Sequence, residues 1–141
     1  MVRAAALDVG KVRVGVAVAD ELGFLAHPRP FVDGRDPRRA IEALVKLAAE
    51  EGIGLFLVGL PRQLSGEEGP SARRASRFAQ QLKAKAAVEV EFVDERLSTQ
   101  EARARLREQG VRDCEARDRI DSASAAVLLQ SWLDGQKGGA P

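Results

Sequence analysis

Cysteine, histidine and aromatic side chains are scarce in this chain of 141 residues: it holds one Cys, one His, one Trp, five Phe and no Tyr. The lone Cys114 has no partner for an internal disulfide, which excludes a disulfide scaffold and points to the cytoplasm. With His27 as the only imidazole, set beside Pro28 in an expected loop, spacing nominates no Ser-His-Asp or Cys-His pairing, and a zinc site is short of its usual ligands. No apolar run approaches the roughly 20 residues that span a bilayer. The start Met1-Val2-Arg3-Ala4 also lacks the apolar stretch of a signal peptide, so no membrane partner is expected. An excess of either charge is missing too. The formal net charge of +1 neither marks the chain as a nucleic-acid binder nor excludes it as one.

What is present reads as one α/β domain, residues 1–134, followed by a flexible tail at 135–141; its length is enough to bury a core without metal or disulfides. Val2 to Val9 and Val12 to Ala19 are strand-like and meet around Gly10, as in a tight hairpin. Pro28 to Val32 is at best an edge strand or a loop, because proline cannot donate to a ladder. Asp36-Pro37 opens a helix as N-cap and N1, with Ile41, Leu44, Val45 and Ala48 on one face and Gly52 as its stop. Ile53 to Leu60 is the near-continuous apolar run of a strand covered on both faces. A polar loop from Arg62 to Pro70 leads to a helix over Ser71 to Ala86, with Ala75, Phe78, Ala79 and Leu82 inward, and Val88 to Val93 is a further strand. Ser98 and Glu101 form a capping box for a helix that ends near Gly110.

Acidic residues from three separate segments draw attention. Asp8 stands at the end of the first strand, where the small residues of the hairpin let a ligand approach. Asp94 and Glu95 stand at the carboxyl end of a later strand, where open α/β sheets place their ligand sites, and alternation sends only one of them to any given face. Asp121 recurs at helical spacing with Ala125, Leu128 and Trp132, and Asp118 lies one turn earlier on that face. A carboxylate on a docking face is costly unless it is paired, whereas Asp118 is also explained as a partner of the helix dipole. Carboxylate oxygens without His or Cys suit Mg²⁺ or Mn²⁺. Arginines group in two places, Arg73, Arg74 and Arg77 in one and Arg103, Arg105 and Arg107 within the other, where their planar forks suit phosphate.

Four blocks, Leu7-Asp8-Val9-Gly10 through Arg13-Val14-Gly15-Val16-Ala17, Val58-Gly59-Leu60-Pro61, Asp94-Glu95-Arg96-Leu97-Ser98-Thr99, and Asp121-Ser122-Ala123-Ser124-Ala125-Ala126 with Leu128-Leu129-Gln130, resemble the YqgF (RuvX) family in order and span nearly the whole chain. The resemblance implies an RNase H-like fold, a mixed five-stranded sheet with three antiparallel strands first, flanked by helices. It implies a nuclease that matures the 5′ end of pre-16S ribosomal RNA or, alternatively, resolves Holliday junctions in branched DNA. Carried onto this chain, its catalytic acids fall on Asp8, Glu95 and Asp121, and Asp118 joins them as a fourth candidate metal ligand. The implied reaction is two-metal hydrolysis, with Lys11, Arg13, Arg62 and Arg96 as candidate phosphate-binding groups. Two other classes stay open. An Asp-x-Gly hairpin also opens actin-like and sugar-kinase ATPases, and a non-catalytic nucleic-acid module would keep the acids as remnants. Monomer and homodimer are both compatible with the sequence.

Overall fold

The computed structural model describes residues 2–61, 69–95, 100–108 and 120–138; at 101, 105, 120, 121, 137 and 138 the backbone alone is described. The elements run β1 (Arg3–Val9), β2 (Arg13–Ala19), β3 (Ala26–Asp33), α1 (Pro37–Glu51), β4 (Ile53–Leu60), α2 (Pro70–Lys85), β5 (Glu89–Asp94), α3 (Gln100–Glu108) and α4 (Ile120–Gly138). They build a five-stranded sheet of order β3-β2-β1-β4-β5. The pairs β1–β2 and β2–β3 are antiparallel, while β1–β4 and β4–β5 are parallel. This is the mixed sheet, antiparallel strands first, that the sequence led us to expect.

Local chemistry accounts for the boundaries. Asp36 accepts from the Arg38 N–H at 3.1 Å, Pro37 takes the first turn, and Gly52 closes α1 in the left-handed region at φ 68°. The third strand is longer than its prolines suggest, running from Ala26 to Asp33 at the sheet edge, where a missing donor costs little. His27 therefore lies in a strand, opposite Val18, and not in the expected loop. At the other end, α4 continues through Gly138, so the expected boundary at 134 falls inside a helix.

The two faces of the sheet are unlike. Leu7, Val14, Val16, Val18 and Phe56 meet α1 and α2 in a core of large side chains. The opposite face is paved with Ala4, Ala6, Ala17, Ala19 and Ala26, and receives Ala125, Leu128 and Leu129 of α4 and Leu106 of α3. Alanine gives up part of the roughly 1.5–3 kcal/mol that a buried Leu or Val contributes. In return α4 reaches the strand backbone itself. Where the β2–β3 register shifts between Val14 and Val16, the Val16 N–H donates to Ser122 Oγ at 3.2 Å. Gln130 accepts from the Ala26 N–H at 2.9 Å and donates to the Phe24 carbonyl at 2.9 Å. Both side chains are fully buried, and a buried N–H left without a partner would cost about 1–3 kcal/mol.

Candidate active site

Strand alternation puts Asp8 on the alanine-paved face, two residues past Ala6, at the carboxyl end of β1. The hairpin that follows is closed by the Gly10 N–H donating to the Arg13 carbonyl at 2.9 Å. A Cβ at Gly10 would stand 2.8 Å from that carbonyl oxygen, so the turn needs glycine there. Glu95 comes from the far side. It follows the end of β5 and lies two residues past Val93, whose side chain is in the same core layer as Ala6 and Leu57. Asp94 therefore faces the other way.

The bare backbone of Gly59 on β4, between β1 and β5, lets these two acids meet. A Cβ at Gly59 would lie 2.9 Å from Glu95 Oε1 and 3.0 Å from Leu128 Cδ2, so the carboxyl group of Glu95 rests across a strand that carries no side chain at that point. Glu95 and Asp8 share a hydrogen bond. The pKa of Glu95 is pushed up to about 7, first by burial, then by the negative charge of Asp8 and the hydrogen bond with it, and last by the charge of Asp94. Two carboxyl groups this close require a proton or a cation between them. With oxygen as the only donor type, the pair fits a hard divalent ion such as Mg²⁺ or Mn²⁺ and is poorly matched to zinc.

Among the described residues the acids at this point are a pair, and no cluster of three potential ligands forms. The third candidate, Asp121, lies in the first turn of α4, and its side chain is outside the described residues. Its backbone is fixed by its neighbour: Ser122 is bonded to Val16, and Gly15, next to Val16, is the register partner of Asp8. Asp118, Arg62 and Arg96 lie outside the described residues. Of the candidate phosphate-binding groups that are described, Arg13 sits with its guanidinium 4.6 Å above the Phe31 ring on β3. Lys11 is exposed and lines a groove on the other side of the sheet, together with Val9.

The positions that sequence reasoning assigned no role are Gly59, Ser122 and Gln130. A glycine inside an otherwise apolar strand signals close approach, and that signal was available for Gly59. Ser122 shares helical spacing with buried Ala126 and Leu129, which marks it as an inward polar group; its acceptor role depends on a strand 106 residues away.

Residues 2–135 match the model of a family described as RuvX, Holliday junction resolvase. The chain belongs to the RuvX family. A relative from Anaeromyxobacter sp. strain Fw109-5, named "Putative pre-16S rRNA nuclease", is 45% identical over 92% of this chain and 95% of its own length. A relative of the same name from Streptomyces coelicolor is 44% identical over 96% of this chain and 81% of its own. Among solved structures, T. thermophilus RuvC in complex with a Holliday junction substrate superposes with a TM-score of 0.69 at 16% identity, covering 99% of this chain and 98% of that one. The fowlpox virus resolvase bound to junction DNA gives 0.55 at 10% identity, covering 95% and 98%. These structures share the fold, and membership of the RuvX family makes this chain a phosphodiester-cleaving nuclease.

Proposed function

We propose that this RuvX protein hydrolyses phosphodiester bonds in the 5′ extension of pre-16S ribosomal RNA, in the cytoplasm, with divalent metal held by Asp8, Glu95 and Asp121 and by Asp118 as a fourth ligand. The observation that carries the reading is the meeting of Asp8 and Glu95 over Gly59 at the carboxyl end of parallel strands, where α/β sheets place their chemistry. Divalent ions bound there would activate the attacking water and neutralise charge on the departing oxygen. The side chains do the holding. Asp8 and Glu95 would hold the cation through their carboxylate oxygens in place of the proton they share, and the buried floor of Leu57 and Leu128 keeps bulk water from beneath them. The products are a 5′-phosphate and a 3′-hydroxyl. RNA is favoured over a four-way junction by the names of the RuvX relatives and by the near-neutral net charge, since a resolvase usually presents a broad basic face to DNA.

The deciding experiment offers the purified protein a 5′-extended small-subunit RNA precursor and a mobile four-way DNA junction side by side, with Mg²⁺ or Mn²⁺. Cutting of the RNA that stops when the metal is chelated is the expected result. Paired symmetric nicks in the junction with the RNA untouched would reverse the choice of substrate, and that outcome is the second reading, supported by the RuvC-like fold.

A further inference from the structure

On the face of the sheet away from Asp8 and Glu95, the hairpin tip, the start of α1 and the outer side of α2 enclose an open groove of about 510 Å³. Among the described residues its polar lining is Lys11, Arg35, Arg73, Arg74, Arg77 and Gln81, five cations and an amide with no carboxylate. Val9, Val14 and Phe78 form its floor. Among the described residues Lys11, Arg73, Arg74 and Arg77 make no ion pair, and Arg35 has only a long, exposed one to Asp33 at 4.0 Å.

Arg73 is also badly placed for the helix that carries it. Arg73 falls in the first turn, at the positive end of the helix dipole, and Arg74 and Arg77 follow it toward the middle of the helix. The first turn of α2 has no acidic residue, and its N-cap, Gly69, has no side chain to offer the free N–H groups. The cation of Arg73 costs α2 about 0.3–1 kcal/mol, while Lys83 and Lys85 in the last turn are placed favourably. A cost with no return in the folded protein is repaid when an anion arrives. Arg73, Arg77 and Gln81 stand in one row at four-residue intervals, so donors repeat about every 6 Å along the groove.

We infer that this groove holds the phosphate backbone of a single RNA strand that continues from the scissile bond, an inference that rests on the nuclease reading above. The groove begins at Gly10 and Lys11, two and three residues after Asp8, so a strand leaving the carboxylates crosses the end of β1 directly into it. The groove is open along its length and admits a short stretch of single strand. The apolar floor suits sugar and base, and the cationic rim suits phosphate.

The test titrates the full-length protein and its Arg73→Ala/Arg74→Ala/Arg77→Ala variant against a fluorescein-labelled 5′-extended small-subunit RNA precursor in EDTA at several KCl concentrations. The variant is expected to bind roughly 10–100-fold more weakly at 0.1 M salt, and its slope of log affinity against log salt should be flatter by about 2, three lost contacts on a single strand. With Mg²⁺ and saturating protein its single-turnover cleavage rate should match the wild type, the defect lying in half-saturation alone. The Arg→Lys triple variant should recover most of the affinity, because the charge is kept. Unchanged affinity and slope in the alanine variant would overturn the inference while leaving the nuclease intact. A loss of binding to a four-way DNA junction with none to the RNA would overturn RNA as the occupant. A wild type that binds the precursor through these arginines yet cuts nothing would leave the groove standing and sink the nuclease reading.

Discussion

Strand β1 carries a charged residue near each end, and the two ends are built on opposite plans. At its start, Arg3 donates to the carbonyls of Ala19 and Glu51, both at 2.9 Å, and lies 3.7 Å from the Glu51 carboxylate, which Arg29 grips with two bonds of 2.9 and 2.6 Å. Opposite charges are matched there and the backbone is tied down. At its finish, Asp8 is set against Glu95 with Asp94 close by, so that like charges crowd one spot. The first arrangement stabilises the fold; the second strains it and is useful only when a cation comes. The contrast separates structural from functional charge on a single strand.

Substitutions at the two ends should therefore move activity and stability in opposite senses. The largest effect is expected from Asp8→Asn, which keeps shape but removes charge: metal-dependent cleavage should fall by at least about 100-fold, consistent with the several kcal/mol that bound metal supplies. The same variant should melt at a higher temperature than wild type in EDTA at pH 8. Full activity with the same metal would refute the assignment of Asp8. Next in size is Gly59→Ala. Its new methyl group must displace the Glu95 carboxyl or Leu128, and a shift of under 1 Å in a positioned group lowers cleavage by roughly 10–100-fold. Cleavage assays of the refolded variant, with circular dichroism to verify the fold, check this.

At the matched end, Glu51→Gln should leave the cleavage rate at 25 °C unchanged and cost about 1–3 kcal/mol in urea unfolding, because Arg3 and Arg29 lose a shared, half-buried partner. Lost activity without lost stability would show that the comparison is drawn at the wrong place. The smallest expected effect is on pH dependence. The Glu95 pKa is raised from 4.5 to about 7, so the folded protein holds a proton there that the unfolded chain releases. Its contribution to stability is thus full below pH 4.5 and is lost as the pH rises through 7. Solvent screening of this half-exposed group reduces the effect to about 1 kcal/mol. Unfolding of wild type and Glu95→Gln in EDTA, compared between pH 4.5 and 8, should diverge toward high pH. Saturating Mg²⁺ should restore wild-type stability and leave the variant little changed.

Much of this was legible in the chain. The limits of α1 are written in Asp36, Pro37 and Gly52, whose roles are local, and the apolar run of β4 and the spacing of Ala75, Phe78, Ala79 and Leu82 follow from burial alone. Of the candidate site, alternation already required Asp94 and Glu95 to part, and Glu95 is the one that meets Asp8. The third strand was harder to read because Pro28 and Pro30 argue against pairing, and their tolerance depends on β3 being an edge. Ser122 and Gln130 were beyond reach for another reason. Their partners lie 106 and 104 residues away, and no local rule connects a hydroxyl on the last helix to a shifted register in the second strand.

The alanine paving has a consequence for the order in which the protein is made. Helix α4 is synthesised after every strand of the sheet, yet it covers β1, β2 and β3, the first three to emerge. A nascent chain that has reached β5 already possesses Asp8, Gly59 and Glu95, but its Ala4, Ala6 and Ala17 are still open to water and the N–H groups of Val16 and Ala26 still await Ser122 and Gln130. Contacts between such distant segments form late and slowly. The carboxylates thus receive the helix that closes the core beneath them only after β5 and α3 have been synthesised. A nuclease built this way completes the packing beneath its carboxylates only after every strand of its sheet has been made.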